Sequence, residues 1–116
     1  MKSKILALSK NEEFKNLLKQ KKISNKYVTI FFGNLINKDN KKLNISFVAK
    51  KKIGNAVKRN KIRRKLKAIV QKLLKKRGAI SKDYTYIVFG KSNAYLQKQN
   101  TLMPLMEKSF KTIKIK

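Results

Sequence analysis

The segment KKIGNAVKRNKIRRKLK, residues 51–67, constrains the fold of this chain more than any other stretch. It holds many cationic side chains and no acidic one, and like charges one helical turn apart cost about 0.2–0.5 kcal/mol per pair. The same region carries an apolar stripe with the i, i+4, i+7, i+8 spacing of a half-buried helix over residues 56–76. The stripe consists of Ile62, Leu66, Ile69, Val70 and Leu73. A fold that accepts this helix has to bury the stripe and leave the cationic side open to a polyanion.

The charge balance of the whole chain also indicates a polyanionic partner. Lys and Arg number 32 against 5 Asp and Glu, which gives a net charge of +27. Between residues 40 and 82 there are seventeen basic residues and no acidic one, whereas an ordinary solvated surface intersperses both signs. Three of the four arginines, Arg59, Arg63 and Arg64, lie in the opening segment, where their planar donor groups suit phosphate. A nucleic acid is therefore the expected partner.

Residue types that carry protein-borne chemistry are missing or scattered. The chain has no cysteine and no histidine, which excludes disulfides, thiolate zinc sites and imidazole catalysis. The adjacent Glu12 and Glu13 point about 100° apart on a helix, so they make a poor metal clamp. No catalytic and no metal-ligating residue is expected on the protein. No apolar run approaches the roughly 20 residues that span a bilayer, so no membrane association and a cytoplasmic location are expected.

The hydrophobic pattern predicts six elements in a single domain, residues 1–116, and the charge balance indicates that this domain binds RNA or DNA. In chain order they are a helix at about 10–21, strands at 26–33 and 42–49, the cationic helix at 56–76, a strand at 83–90 and a helix at 101–113. The turn chemistry between the first two strands predicts that they pair antiparallel, and Pro104 is expected near the first turn of the last helix. The order αββαβα, with one more short strand possible in a loop, favours a sandwich of one sheet against helices.

Two glycines bracket the cationic helix. Gly54 is expected to adopt a positive φ and turn the chain into the helix, beside Lys50, Lys51 and Lys52. Because the free N–H groups of a helix N-terminus attract phosphate, these lysines are expected to add to an anion site. An ordinary glycine turn with its lysines in solvent is the alternative. Gly78 is expected at the C-cap of the helix.

The order of residues in AKKKIGNAVKRNKIRRKLK, residues 49–67, resembles the signature of the bacterial ribonuclease P protein subunit. That family carries a basic run, a small-residue turn and an Arg-Asn-Arg element followed by a basic pair. The corresponding element here is Arg59-Asn60-Lys61, followed by Arg63 and Arg64. Lys61 departs from the commoner arginine and loses its bidentate geometry, so its contact is expected to be weaker. The resemblance covers most of residues 6–110.

The resemblance implies a fold and an activity. The fold is α+β, a two-layer αβββαβα sandwich with a mixed four-stranded sheet and a left-handed crossover through the basic helix. The activity is endonucleolytic removal of the 5′ leader from precursor tRNA, with the chemistry carried by a catalytic RNA subunit and Mg²⁺ bound mainly by that RNA. The protein is expected to be a non-catalytic monomer within a 1:1 ribonucleoprotein. The expected RNA subunit contacts are Lys51, Lys52, Asn55, Arg59, Asn60, Lys61, Arg63, Arg64 and Lys67.

A cleft for the single-stranded leader is implied between the first helix and the sheet. Phe14 matches one of the aromatic positions that line this cleft in the family, although it could equally be a core residue. The next two positions correspond to Leu18 and Ile30, and Lys50 is expected beside them. With fewer rings, base stacking should be weaker and contacts to the phosphate backbone relatively more important.

Three other functions fit parts of the pattern. A structural RNA-binding protein of the ribosomal type shares the charge and the sandwich but does not require the Arg-Asn-Lys element. A free-standing nuclease would cleave RNA without an RNA partner. A nonspecific DNA-compacting protein would show no preference for a folded RNA over random duplex.

Overall fold

The computed structural model describes residues 5–6, 11–34, 42–76 and 78–115. The helices and strands, in chain order, are β1 Ile5–Leu6, α1 Asn11–Leu18, β2 Lys21–Ser24, β3 Val28–Asn34, β4 Leu43–Val48, α2 Ala56–Leu73, β5 Tyr84–Gly90 and α3 Gln99–Ile115. Short 3₁₀ helices precede α2, at Lys51–Ile53, and follow β5, at Ser92–Ala94. None of the helices in the described ranges is long and apolar enough to cross a membrane.

The strands form one mixed sheet in the order β1-β4-β5-β3-β2. β4 and β5 are parallel neighbours joined through α2, and β5 is antiparallel to β3, which is antiparallel to β2. This confirms the α+β sandwich αβββαβα with its mixed sheet of four strands, to which the two-residue β1 adds a fifth at the edge of β4. The predicted antiparallel pairing of β3 with β4 is wrong, because β5 lies between them. The handedness of the crossover stays a prediction.

The two faces of the sheet are covered by different helices. On one face α2 and α3 bury the alternate residues of β3 and β5, as the ring contact of 5.3 Å between Tyr86 and Phe110 illustrates. Gly90 lies on this face directly beneath Ile62 of α2. The other face is covered only in part, by the short α1, whose Leu17 packs over Gly33. The main core therefore lies between the sheet and the pair α2 and α3, and the α1 side leaves room for a groove.

The structure confirms the predicted apolar stripe of α2, since all five of its residues are fully buried. Asn55 caps the helix, because its side-chain oxygen accepts a hydrogen bond from the backbone N–H of Lys58 at 2.9 Å. The helix ends at Leu73 with Leu74 as its C-cap, so the prediction that Gly78 caps it is wrong. Gly78 does adopt a positive φ of 74°, but it does so in the turn that leads towards β5.

The outer helices differ from their predicted bounds. α1 ends at Leu18, not near residue 21, because Lys21–Ser24 extends and pairs with β3 as β2. Residue 10 and residues 37–41 of the predicted turn NKDNKK (37–42) lie outside the described residues. α3 begins at Gln99, two residues before its predicted start. Pro104 is therefore the sixth residue of the helix, in its second turn, where the missing N–H removes one backbone hydrogen bond.

Candidate nucleic-acid interface

The outer face of α2 carries the cationic side chains as predicted. Asn60, Lys61, Arg64 and Lys67 are exposed, and Arg63 is half-buried and donates a hydrogen bond to the Asn60 side chain. No carboxylate in the described part of the chain pairs with an arginine of this face; the ion pairs of Glu107, at 3.3 Å and 3.9 Å, go to lysines elsewhere. The face can therefore meet several phosphates without first breaking an internal ion pair.

Arg59 differs from its neighbours because its Nε atom is buried and finds no hydrogen-bond partner among the residues that the structure describes. An unsatisfied buried donor costs free energy, more so when the group is charged. A phosphate oxygen reaching this guanidinium would supply the missing acceptor, which distinguishes Arg59 from a simply solvated side chain.

The turn before α2 is built differently from the prediction. Gly54 has a φ of 161°, which is extended backbone, so it does not make the left-handed turn expected at the start of the helix. The 3₁₀ helix at Lys51–Ile53 reverses the chain instead, and this leaves Lys51 and Lys52 exposed. Asn55 was predicted as an RNA contact, and its side-chain oxygen accepts the hydrogen bond that caps the helix. The residue is exposed at this end of the helix.

A groove with a volume of about 590 Å³ opens on the α1 side of the sheet. We call it the aromatic groove, and it is lined by Leu18, Lys22, Thr29, Phe31, Lys50, Lys52, Ile53, Phe89, Gly90, Lys91 and Ser92. The rings of Phe31 and Phe89 meet edge to face at 5.4 Å. Lys22 Nζ lies 5.8 Å from the Phe31 ring centroid and Lys50 Nζ 5.5 Å from that of Phe89. Half-exposed rings flanked by ammonium groups suit an unpaired strand, which offers bases to stack and phosphates to neutralise.

Three of the four residues predicted for the leader cleft lie in or beside the aromatic groove. Leu18 and Lys50 line it, and Phe14 is half-buried with its ring 6.5 Å from that of Phe89. The fourth, Ile30, is wrong as a lining residue, because it is fully buried on the opposite face of the sheet. Successive residues of a strand point to opposite faces, so a shift of one position places Phe31 in the groove instead.

The sequence interpretation also missed Phe89, Lys22 and Lys91 as groove residues. Phe89 comes from β5, whose register with β3 puts it opposite Thr29 on the groove face. Alternation along DYTYIVFG would have assigned Phe89 and Thr85 to one face. Only the pairing of strands distant in sequence brings that face next to Phe31.

The described residues contain no group of three or more acidic, histidine or cysteine side chains placed to hold a metal ion. Glu107, the acidic side chain of α3, is engaged with Lys76 and Lys111. No chemical step is assigned to a metal on the protein.

Comparison with known proteins gives consistent matches over nearly the whole chain. The family model described as Ribonuclease P matches residues 3–114. The chain is similar to the ribonuclease P protein component of Mycoplasma capricolum, at 35% identity over 92% of this chain and 94% of that protein. It is 41% identical to that of Carboxydothermus hydrogenoformans over 57% of each chain. The solved structure of the Staphylococcus aureus RNase P protein superposes with a TM-score of 0.75 at 25% identity, covering 93% of this chain and 94% of that one.

Proposed function

We propose a role for each surface from the premise that the chain belongs to the ribonuclease P protein component family. The proteins of this family bind RNA, work with an RNA subunit in a ribonucleoprotein and take part in tRNA processing. The outer face of α2 binds the catalytic RNA subunit, and the aromatic groove holds the 5′ leader of precursor tRNA. The protein thereby promotes endonucleolytic removal of the leader, which gives the mature 5′ end of the tRNA.

The observation that carries the proposal is the division of α2 into two sides. One side is a fully buried apolar row, and the other is an outer face whose arginines pair with no carboxylate among the described residues. Apolar packing fixes the helix on the sheet, so its outer face keeps one geometry before RNA arrives. Rigid placement of donors reduces the ordering cost of binding. The contacts proposed on this face are Arg59, Asn60, Lys61, Arg63, Arg64 and Lys67, with Lys51, Lys52 and Asn55 at its N-terminal end.

Leader binding is proposed for the aromatic groove because its chemistry matches an unpaired strand. Stacking of one base on a ring contributes about 1–3 kcal/mol, and it tolerates any base because each has an aromatic face. The proposed leader contacts are Phe14, Leu18, Phe31, Phe89 and Lys50. Two half-exposed rings and several lysines predict binding that depends weakly on leader sequence and strongly on salt.

The chemistry is proposed to belong to the RNA subunit, with Mg²⁺ bound mainly by that RNA. The protein supplies positive charge that offsets the repulsion between the RNA subunit and precursor tRNA. It presents one copy of each surface, in keeping with a protein monomer in a 1:1 ribonucleoprotein. A cytoplasmic location stays a prediction.

Reconstitution tests the proposal. The purified protein is mixed with a bacterial ribonuclease P RNA transcribed in vitro, and 5′ maturation of precursor tRNA is measured at low Mg²⁺. We expect cleavage with both components, little with the RNA alone and none with the protein alone. Cleavage by the protein alone would instead identify a free-standing nuclease. No stimulation, with co-purification of ribosomal RNA only, would favour the structural RNA-binding protein.

A further inference from the structure

One lysine of α2 does not face solvent as a free cation. Lys65 Nζ donates hydrogen bonds to the backbone carbonyls of Ala94, Tyr95 and Gln97, at 3.2, 2.8 and 2.6 Å. An ammonium group has three protons, so these three acceptors use its whole donor capacity. Desolvation, and then the charge of Lys61, lowers the pKa of Lys65. Lys65 therefore fastens the loop after β5 to α2.

The loop that Lys65 holds presents an aromatic ring to the cationic face. Tyr95 is half-buried, and its ring centroid lies 5.2 Å from Lys58 Nζ and 5.1 Å from Lys61 Nζ. Lys58 Nζ also contacts the Ser92 hydroxyl at 3.3 Å, so both ends of the loop touch α2. Leu96, the next residue after Tyr95, is 83% exposed, so the described part of the chain leaves this side of the loop open. We call Lys58, Lys61, Lys65 and Tyr95 the Tyr95 platform.

We propose that the Tyr95 platform binds one unpaired nucleotide of the RNA subunit, with Tyr95 stacking on its base and Lys58 and Lys61 binding its phosphate. Lys65 is a positioning residue that makes no phosphate contact and acts through Tyr95. This inference rests on the proposed function, because it needs the outer face of α2 to engage RNA. None of the four residues lines the aromatic groove, and Lys58 reaches the edge of that groove only through its contact with Ser92.

The chemistry favours a nucleotide over a simple counterion. An inorganic anion would be served by two lysines alone, whereas a ring beside both ammonium groups adds a surface on which a base can stack. Lysine side chains lose considerable rotamer freedom when fixed, and the ring already restrains both of them. The second 3₁₀ helix is only three residues long, so the position of the ring depends on further restraint of the loop that follows it. The Lys65 hydrogen bonds supply that restraint.

The test is a binding experiment with an in vitro transcribed bacterial ribonuclease P RNA across a salt series. Tyr95→Ala should weaken binding about fivefold or more, as expected for one lost stacking contact, whereas Tyr95→Phe should bind like the wild type. Lys65→Met should weaken binding by a similar factor without changing the salt slope. The matched control, Lys67→Met, removes an exposed lysine two positions along the same helix and should reduce the log–log slope by about 0.7–0.9.

A double-mutant cycle decides whether Lys65 acts through Tyr95. If it does, Lys65→Met combined with Tyr95→Ala binds no worse than Tyr95→Ala alone. Additive losses, or a slope reduced by Lys65→Met as much as by Lys67→Met, would overturn the positioning role. Wild-type affinity in Tyr95→Ala would overturn the platform and leave the proposed function standing. A wild-type protein that binds this RNA no better than random duplex DNA would overturn both. Tyr95→Ala decides the stacking role even if Lys65→Met unfolds.

Discussion

Replacing Gly90 with alanine tests how α2 is placed on the sheet. Gly90 ends β5 beneath α2, and an ideal Cβ there would lie 2.4 Å from Ile62 Cγ2 and 3.1 Å from Leu66 Cδ1. Both neighbours are fully buried residues of the same helix. Because two side chains are too close at once, a rotamer change in one of them cannot relieve the strain. We expect α2 to move away from the sheet or the core to repack.

The size of the effect follows from these distances. Carbon atoms pack at about 3.5–4.0 Å, so Ile62 would have to retreat by about 1 Å or more. Overpacking of this kind costs about 1–3 kcal/mol. For a chain of 116 residues, with an unfolding entropy of about 2.1 cal/mol/K per residue, Gly90→Ala should lower the melting temperature by about 4–12 °C.

Thermal unfolding followed by circular dichroism measures this change, with Gly54→Ala as the matched control. A Cβ at Gly54 would meet Lys58 Cδ at 2.8 Å, which is the flexible part of a lysine side chain. Since Gly54 is extended, that variant should change the free energy of unfolding by less than about 1 kcal/mol. Equal melting temperatures for Gly90→Ala and the wild type would refute the reasoning, as would a larger loss in Gly54→Ala.

Three further predictions concern the RNA contacts and the core. Arg63→Ala combined with Arg64→Ala should reduce the log–log salt slope of RNA binding by about one unit or more, and an unchanged slope would remove this face from the interface. Phe31→Leu keeps apolar bulk but removes a ring, so it should weaken binding of leader-bearing precursor tRNA about fivefold and leave mature tRNA unaffected; equal losses would contradict the leader groove. Desolvation raises the pKa of Tyr86, whose hydroxyl donates to the Ser81 carbonyl at 2.6 Å. Above its ordinary pKa of 10.0 the unfolded chain loses this proton first, so urea unfolding should show the stability advantage of wild type over Tyr86→Phe shrinking there.

The sequence predicted α2 and its two faces because both follow from local periodicity. Ile62, Leu66 and Leu73 recur at helical spacing, and one helix has only one way to place such a row against a sheet. The residues predicted on the other side of the helix, among them Lys61, Arg64 and Lys67, then have to face outward. No knowledge of distant segments was needed, which explains why the structure confirms this part residue by residue.

Strand order could not be predicted in the same way, because it depends on contacts between distant segments. The strands at 26–33 and 42–49 follow each other in the chain, and adjacent strands commonly pair. Here β5 pairs with β3 over seven residues and with β4 over five, so it takes the position between them. The alternating pattern of β3 does not show whether β4 or β5 lies beside it, and the pattern of β4 does not show whether β3 or β5 lies beside it.

The aromatic groove shows how a small error in register changes a site. Assigning Ile30 in place of Phe31 shifts the lining by one residue, which in a strand means the opposite face. The error came from matching positions to a family pattern; the alternation of Val28, Ile30 and Phe32 as buried residues would have prevented it. Phe89 needed the register of β5 as well. A groove assembled from three strands is therefore harder to predict than a helix face.

The fold tolerates a net charge of +27 because the residues that form its core are different from those that carry the charge. The main core lies between one face of the sheet and the inner rows of α2 and α3, and no charged side chain among the described residues is buried there. Additional lysines on the outer face of α2 or around the groove therefore cost repulsion between exposed charges, which salt and water screen, and leave the core packing unchanged. In the proposed complex, RNA phosphates would remove that repulsion on both surfaces at once. The same separation explains why Lys65, whose ammonium is used within the protein, is better placed to organise the surface than to add to its charge.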